Sequence, residues 1–241
     1  LYQAVAHGCH ATLYSVALNE VLRPRIQRDE SFYSTYKLGA IASDLGVLIG
    51  FFDDYPRAVV KALSPKDQSF IHCQAAYCLR SSGRSSEAVE NYETALKLLD
   101  GQDDCQNEIA TVAVLLCELL VQQGECRRAV EVAQISVQAA DDLGDKGIKR
   151  QIVCYTHLGN AILQANGADA CKEAFLKAEE LDQQLDQSYL TVGNNYRFCN
   201  WLLTTGKSEE VIQRLVRMVD DERKHDHWGD FVEGYRSIVL G

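Results

Sequence analysis

The sequence predicts an all-α fold, an α-solenoid of antiparallel helix pairs in which each pair takes about 40 residues. Gly and Asn tolerate the positive φ that the C-terminus of a helix often requires. Four such residues recur at this spacing, namely Gly83, Gly124, Asn166 and Gly206. Only three of the 241 residues are proline, and this scarcity favours long helices because proline is costly inside them.

Small and large residues stand at fixed distances from these turns, in a pattern typical of closely packed helix pairs. In the second helix of a pair, positions i, i+4 and i+7 lie on one face; in the first pair they hold Ala88, Tyr92 and Ala95. In the first helix of each pair, a small residue lets the two backbones approach closely. These small residues are Ala76, Cys117, Gly159 and Cys199. We expect all of them to be buried.

The pattern resembles the tetratricopeptide repeat (TPR). Leu158-Gly159, Ile162, the turn at Asn166, Phe175 and Ala178 stand where that family has Leu-Gly, Tyr, Gly, Phe and Ala. Four repeats fit, at 69–102, 110–143, 152–185 and 192–225. The family's Trp, and its Pro near the end of the repeat, are absent here, and the period is longer than the usual 34 residues. The resemblance implies a right-handed superhelix that binds proteins or peptides.

The chain is expected to have two parts, residues 1–65 and residues 66–241. The first is a helical segment with a truncated or degenerate repeat, in which Phe32 to Phe52 is expected to form one helix. The second holds the four repeats and a C-terminal helix in one continuous superhelix. Ser64-Pro65 is a typical helix start, because Ser caps the first amides and Pro suits the first turn. The chain begins at Leu1 rather than Met, so we expect it to be a piece of a longer protein.

Charge and composition exclude several classes of partner. The net charge is −10 and the pI is near 5.1, and no cluster of Lys and Arg provides the positive face that nucleic acids require. An anionic membrane surface is disfavoured for the same reason. The longest apolar stretch is Leu38 to Phe52, and Ser43 and Asp44 interrupt it, so it is too short to span a bilayer. We expect neither nucleic acid nor membrane as a partner.

The nine cysteines lack the spacing of a disulfide framework or a zinc site, and none forms Cys-x-x-Cys. They are typical of a reducing cytoplasm, where thiols serve as small buried apolar groups. Cys105, in a turn, is expected to be the most exposed thiol. A cytoplasmic location follows from this interpretation.

Catalytic motifs are missing from the sequence. It contains no glycine-rich phosphate loop and no Gly-x-Ser-x-Gly elbow. His225 and His227 could be considered as metal ligands, but two residues apart on a helix they point to different faces, so a solvated helix end is the better interpretation. We expect no enzyme activity, no cofactor and no metal.

The TPR resemblance implies that the first helix of each pair lines a concave groove. The groove residues it implies are Tyr77, Arg80, Glu118, Gln122, Asn160, Gln164, Tyr196, Arg197 and Asn200. An Asn side chain can both donate to and accept from a peptide backbone, and Tyr adds flat apolar area with a polar tip. We expect Asn160, Asn200 and Tyr196 to read the backbone of a bound peptide.

The segment Arg25 to Leu48 resembles helical-repeat regions at the C-terminal side of bacterial signalling NTPases of the STAND class. This resemblance implies a sensor or scaffold arm that controls a larger bacterial signalling protein. Two alternatives in the same binding class are a peptide-pheromone-receptor type of domain and a free-standing adaptor. An accessory domain of an enzyme is a third.

Overall fold

The computed structural model describes residues 1–185 and 192–225. The chain divides into two compact units, Leu1–Leu120 and Val121–Gly241, and each is described by itself. The boundary predicted at residue 65 stays a prediction, and the part of the expected C-terminal helix beyond residue 225 lies outside the described residues. None of the described helices is long and apolar enough to cross a membrane.

The first unit contains helices of three kinds and a small hairpin. Its α-helices are α1 (Tyr2–His10), α2 (Tyr14–Val16), α3 (Tyr33–Tyr36), α4 (Ile41–Leu48), α5 (Pro65–Ser81), α6 (Ser85–Leu99) and α7 (Gln106–Gln122), whose last two residues belong to the second unit. A π-helical segment (Ala17–Gln27) continues α2, and 3₁₀ turns cover Asp29–Ser31 and Ile49–Phe51. Strands β1 (Phe52–Asp54) and β2 (Ala58–Val59) pair antiparallel, with Phe52 opposite Val59.

The second unit contains helices and turns but no strand over the residues that the structure describes. Its α-helices are α8 (Cys126–Asp141), α9 (Ile148–Asn166), α10 (Lys172–Asp182), α11 (Val192–Thr204) and α12 (Ser208–His225), and a 3₁₀ turn covers Gly144–Gly147. Helix α9 packs against α8, α10 and α11, and α11 packs against α12. The prediction of an all-α fold built from antiparallel helix pairs is confirmed.

Three of the four predicted turn residues have the expected backbone. Gly83, Gly124 and Gly206 have φ of 78°, 79° and 77°, a region that glycine enters without steric cost. The fourth prediction is wrong: Asn166 is the last residue of α9, and the next residue, Gly167, takes the positive φ of 90°. Where Asn and Gly are adjacent, the residue without a Cβ takes the strained position.

The small residues predicted to allow close packing are buried. Ala76, Cys117 and Cys199 are at most 5% exposed. At Gly159, an added Cβ would lie 3.0 Å from three ring atoms of Phe175, so the aromatic ring occupies the space that a side chain would need. Phe175 packs in turn against Phe198 and Trp201, with ring centroids 5.4 Å and 5.3 Å away.

The N-terminal third differs from the sequence-based expectation. Phe32 to Phe52 is not one helix, because α3 ends at Tyr36 and α4 begins only at Ile41. Gly39 between them has φ of 60° and Phe32 has φ of 42°, and neither value is compatible with a continuous right-handed helix. The helix start predicted at Ser64-Pro65 is confirmed: the Ser64 hydroxyl accepts a hydrogen bond from the Asp67 amide over 3.1 Å.

Candidate functional site

Aromatic side chains form a continuous surface feature in the first unit. The rings of Tyr36 and Tyr77 meet edge to face with centroids 5.5 Å apart, and Phe32 meets Tyr36 in the same way at 5.9 Å. Tyr36 is 57% exposed, whereas Phe32 and Tyr77 are half-buried. We call Phe32, Tyr36 and Tyr77 the aromatic track. It offers flat apolar area with two phenolic hydroxyls to a ligand.

An ion pair stands one helical turn beyond Tyr77. Arg80, in the last turn of α5, donates to a carboxylate oxygen of Glu118 on α7 over 3.0 Å. Their side chains remain 20% and 30% exposed, so a ligand can reach both. A partly exposed pair of this kind contributes at most about 1 kcal/mol to stability. The guanidinium has five N–H donors, and the pair therefore holds it in place without using up its capacity to bind.

A buried hydroxyl lies beneath this surface. Tyr92 of α6 is fully buried, and its hydroxyl has no hydrogen-bond partner among the described residues. Burial raises the pKa of Tyr92, and the side chains of Cys73, Arg80 and Tyr36 are close enough to act on it electrostatically. Although Tyr36 is 57% exposed, its phenol is partly desolvated by the surrounding protein, and this raises the pKa of Tyr36 to about 12. Both phenols therefore stay neutral and can donate hydrogen bonds at physiological pH.

One buried carboxylate positions Tyr36. Asp44 of α4, which is 2% exposed, accepts hydrogen bonds from the hydroxyls of Ser34 and Thr35 over 3.0 Å and 2.9 Å. Its other oxygen accepts a hydrogen bond from the Tyr2 hydroxyl over 2.6 Å. Burying a carboxylate is tolerated only when it is well hydrogen-bonded, and here the bonds fasten the four-residue helix α3 to α4. The fastened helix presents Tyr36 to solvent.

The structure brings together three of the nine predicted groove residues, because Tyr77, Arg80 and Glu118 lie in one cluster of the first unit. The residues of the second unit stand on three helices. Gln122 is exposed at the end of α7, Asn160 is half-buried and Gln164 exposed on α9, and Tyr196 is exposed while Arg197 and Asn200 are half-buried on α11. Helices α9 and α11 pack against each other. Whether these residues bind a peptide stays a prediction.

Sequence reasoning missed Tyr36 and Phe32. The contact of Tyr36 with Tyr77 of α5 joins segments far apart in the chain, which periodicity does not reveal. The signal that could have found them is composition: Phe-Tyr-Ser-Thr-Tyr, residues 32–36, holds three aromatic residues in a chain that is 8% aromatic.

The prediction for Cys105 is wrong. Cys105 is buried, because it directly precedes α7 and turns into the interior, and Cys126 at the start of α8 is half-buried instead. All nine cysteines are free thiols. In the described part of the chain, no group of His, Cys, Asp and Glu is arranged to hold a metal ion.

Comparisons with known proteins agree with the helical-repeat fold. No protein-family model matches the chain. Photosystem I assembly protein Ycf3 of Prochlorococcus marinus is 26% identical over 142 residues, which are 59% of this chain and 78% of that protein. The crystal structure of BtubC (BKLC) from P. vanneervenii superposes with a TM-score of 0.64 at 15% identity, over 92% of this chain and 91% of the other. Ycf3 contains TPRs and the solved structure is a helical-repeat protein; at 15% identity that likeness shows the fold alone.

Proposed function

We propose that this chain is a non-enzymatic protein-interaction module, and that the first unit binds an extended segment of a partner protein along the aromatic track. The observation that carries this proposal is the exposed ring of Tyr36 held against Tyr77 beside the Arg80–Glu118 pair. Tyr and Arg are the residues that most often dominate binding energies at protein interfaces. Here both occur together on a surface that the fold holds in place.

The track suits a peptide better than a small molecule. It is an open surface rather than an enclosed cavity, and it combines aromatic area with one cation and one anion. An extended chain can lay an apolar side chain on Tyr36 while its backbone exchanges hydrogen bonds with Arg80 and Glu118. The similarity to a protein named for photosystem I assembly supports the general role of an adaptor that holds another protein.

In the second unit, we propose that Asn160, Asn200 and Tyr196 contact the backbone of a bound segment. Each Asn has both a donor and an acceptor in its side chain. The packing of α9 against α11 supports the proposal because it places the two helices side by side.

The resemblance of Arg25 to Leu48 to STAND-class proteins supports a finer proposal, that the module is the sensor arm of a larger signalling protein in a bacterial cytoplasm. This segment contains the exposed Tyr36, so ligand binding could bias such a protein between two states. The coding sequence upstream of Leu1 tests it. A nucleotide-binding motif Gly-x-x-x-x-Gly-Lys-Ser/Thr would support the sensor arm, a short DNA-binding domain would favour the peptide-receptor alternative, and a start codon directly upstream would favour the free-standing adaptor.

Selection from a random heptapeptide phage library against the 241-residue chain tests the binding proposal. Synthetic copies of the selected peptides are then titrated against wild type, Tyr36→Ala and Arg80→Ala by calorimetry. We expect each variant to weaken binding at least about tenfold, as loss of a central aromatic or Arg contact typically does. Tyr55→Ala and Arg57→Ala, in the same unit but away from the track, are the matched controls. Failure to select any peptide, or equal affinity of all four variants and wild type, would overturn the proposal.

A further inference from the structure

A cleft of about 380 Å³ opens beside the aromatic track in the first unit, and Phe32 belongs to both. Its lining comes from the end of the π-helical segment, the turn that follows it, and the starts of α5 and α7. The residues that matter here are Arg23, Gln27, Asp29, Phe32, Lys66 and Phe70. A peptide lying on the track would pass the mouth of this cleft, so the cleft is suited to hold one of its side chains.

Both cations of the lining already have anionic partners. Arg23 contacts the Asp67 carboxylate over 2.7 Å, and Lys66 contacts the Glu108 carboxylate over 2.6 Å. Glu108 accepts a hydrogen bond that raises the pKa of Lys66. An anionic ligand would have to compete with these carboxylates, which lie in the cleft wall themselves. The lining therefore disfavours phosphate and carboxylate ligands.

Two hydrogen-bond acceptors of the cleft lining, by contrast, have no partner within the described part of the chain. Asp29 is exposed, and its carboxylate takes part in no hydrogen bond or ion pair with the described residues. Gln27 is 2% exposed; its amide nitrogen, Nε2, donates to Gln74 over 3.1 Å, but its Oε1 is buried and accepts no hydrogen bond from them. An unsatisfied buried acceptor is costly. A donor entering the cleft would meet the unpaired negative charge of Asp29. Gln27 lines the same cleft, so a rotation of its buried amide would bring the unpartnered Oε1 to that donor.

The aromatic walls favour a planar cation. The Arg23 guanidinium carbon already lies 4.1 Å from the centroid of the Phe70 ring, so a guanidinium stacks on an aromatic face inside this cleft. Phe32 supplies a second ring at the edge shared with the track. A guanidinium is planar and weakly hydrated, and it stacks on aromatic rings more readily than an ammonium does.

We propose that the cleft binds the guanidinium of an arginine side chain in the partner segment, with Asp29 as its counter-ion and Gln27 Oε1 as a further acceptor. This inference rests on the proposed function and adds the chemistry of the ligand. The net charge of −10 agrees with it, because an acidic protein attracts basic partners. The Arg23–Asp67 pair forms one wall of the cleft. Phe32 lies between the bound arginine of the partner segment and the part of that segment that packs on Tyr36.

The probe is a blocked tripeptide, N-acetyl-Ala-Arg-Ala-amide, titrated into the ¹⁵N-labelled chain and followed by amide chemical shifts. It is compared with the same tripeptide carrying citrulline, which is neutral and nearly isosteric, or lysine in place of arginine. We expect saturable shifts at Asp29, Phe32 and Lys66, binding at least about fivefold weaker for the lysine peptide, and no saturation with citrulline. Equal shifts for the arginine and citrulline peptides would overturn the proposal, and so would shifts confined to residues outside the cleft.

Asp29→Asn removes the charge and keeps the backbone, because Asn tolerates the φ of 54° at this position. We expect it to weaken arginine-peptide binding about tenfold, as loss of a close counter-ion does. Asp53→Asn is the matched control, since Asp53 is also exposed but does not line the cleft. Unchanged binding in Asp29→Asn, or an equal loss in the control, contradicts the proposal.

The phage selection distinguishes the proposed aromatic track from the proposed arginine pocket. If the selected peptides depend on Tyr36 and are enriched in arginine, both proposals are supported. If they depend on Tyr36 but lose nothing when their arginine is replaced by citrulline, or contain none, the arginine pocket is wrong and the binding surface stands. If Tyr36→Ala has no effect while the arginine tripeptide still binds the cleft, the track is wrong and the pocket stands.

Discussion

The Tyr2 hydroxyl donates a 2.6 Å hydrogen bond to Asp44 Oδ1, and this contact joins the first helix to the carboxylate that holds α3. Burial and the neighbouring carboxylate raise the pKa of Tyr2 to about 12, so the donor keeps its proton across the physiological range. The position of the exposed Tyr36 thus depends on a polar network in the interior.

Removal of this carboxylate should therefore loosen α3. We expect Asp44→Ala to lower the free energy of unfolding by about 3 kcal/mol, because it leaves the hydroxyls of Ser34 and Thr35 buried without an acceptor. Urea unfolding measures the loss, and hydrogen exchange should be faster at the amides of residues 33–36. Asp53→Ala is the control, since Asp53 is exposed and should change stability by less than about 0.5 kcal/mol. Equal stability of the two variants would contradict the role of Asp44.

Gly159 offers a test of close helix packing. We expect Gly159→Ala to destabilise the chain by about 1–2 kcal/mol, even though Ala favours helices. The new Cβ meets the ring of Phe175, which is fully buried and cannot retreat because Phe198 and Trp201 pack against it. Gly46→Ala is the control, since no atom lies within 4 Å of its added Cβ, and it should be neutral or stabilising. Thermal unfolding of both variants measures the two changes in stability. A stabilising Gly159→Ala would mean that the helix backbone at residue 159 does not lie close to the Phe175 ring.

His72 should make stability depend on pH. Its ring is buried, and Asn91 Oδ1 accepts a 2.7 Å hydrogen bond from Nδ1; burial lowers the pKa of His72. The unfolded chain takes up a proton as the pH falls through about 6.5, while the folded chain resists it, so stability falls with pH below that value. We expect urea unfolding to show a decline between about pH 7.5 and about pH 5.5.

In His72→Gln this decline should be smaller than in wild type. His10→Gln is the matched control, because His10 is exposed, and it should keep the wild-type pH dependence. A decline that persists unchanged in His72→Gln would place its origin elsewhere.

Thiol reactivity should single out one cysteine. Burial raises the pKa of Cys73 and Cys78 to about 12, and it also raises the pKa of Cys105, whereas Cys126 is half-buried. Because the thiolate is the reactive form, iodoacetamide at about pH 8 should modify Cys126 first. Mass spectrometry of the native chain identifies the site, and Cys126→Ser should remove the fast phase. Rapid labelling of Cys105 instead would contradict its burial.

Regular periodicity made the paired helices predictable. The spacing of Gly83, Gly124 and Gly206 located three turns correctly, because each requires a backbone that glycine adopts most easily. The turn at Asn166 was misplaced by one residue because Asn and Gly are neighbours there, and sequence alone does not decide which takes the positive φ. Periodicity also located Tyr77, Arg80 and Glu118 on helices; their place in a binding groove, which the resemblance implies, stays a prediction.

The N-terminal third was less predictable because its structure depends on contacts distant in sequence. The π-helical segment contains Pro24, which lacks a backbone donor, and no simple apolar period marks its ends. Helix α3 is too short to show a period, and its position is set by Asp44. The Tyr36–Tyr77 contact and the cleft beside it follow from that placement, so the periodicity of the sequence did not predict them.

Helix α3 has a buried side, which Ser34 and Thr35 fasten to Asp44, and the segment has a separate exposed side. The inward hydroxyls bind Asp44, while Tyr36, Lys37 and Leu38 are exposed. A combinatorial library that varies these three positions and keeps Ser34, Thr35 and Asp44 should therefore yield folded proteins with new recognition preferences. The same division would let the exposed residues of the proposed binding surface vary without disturbing the buried contacts that hold α3.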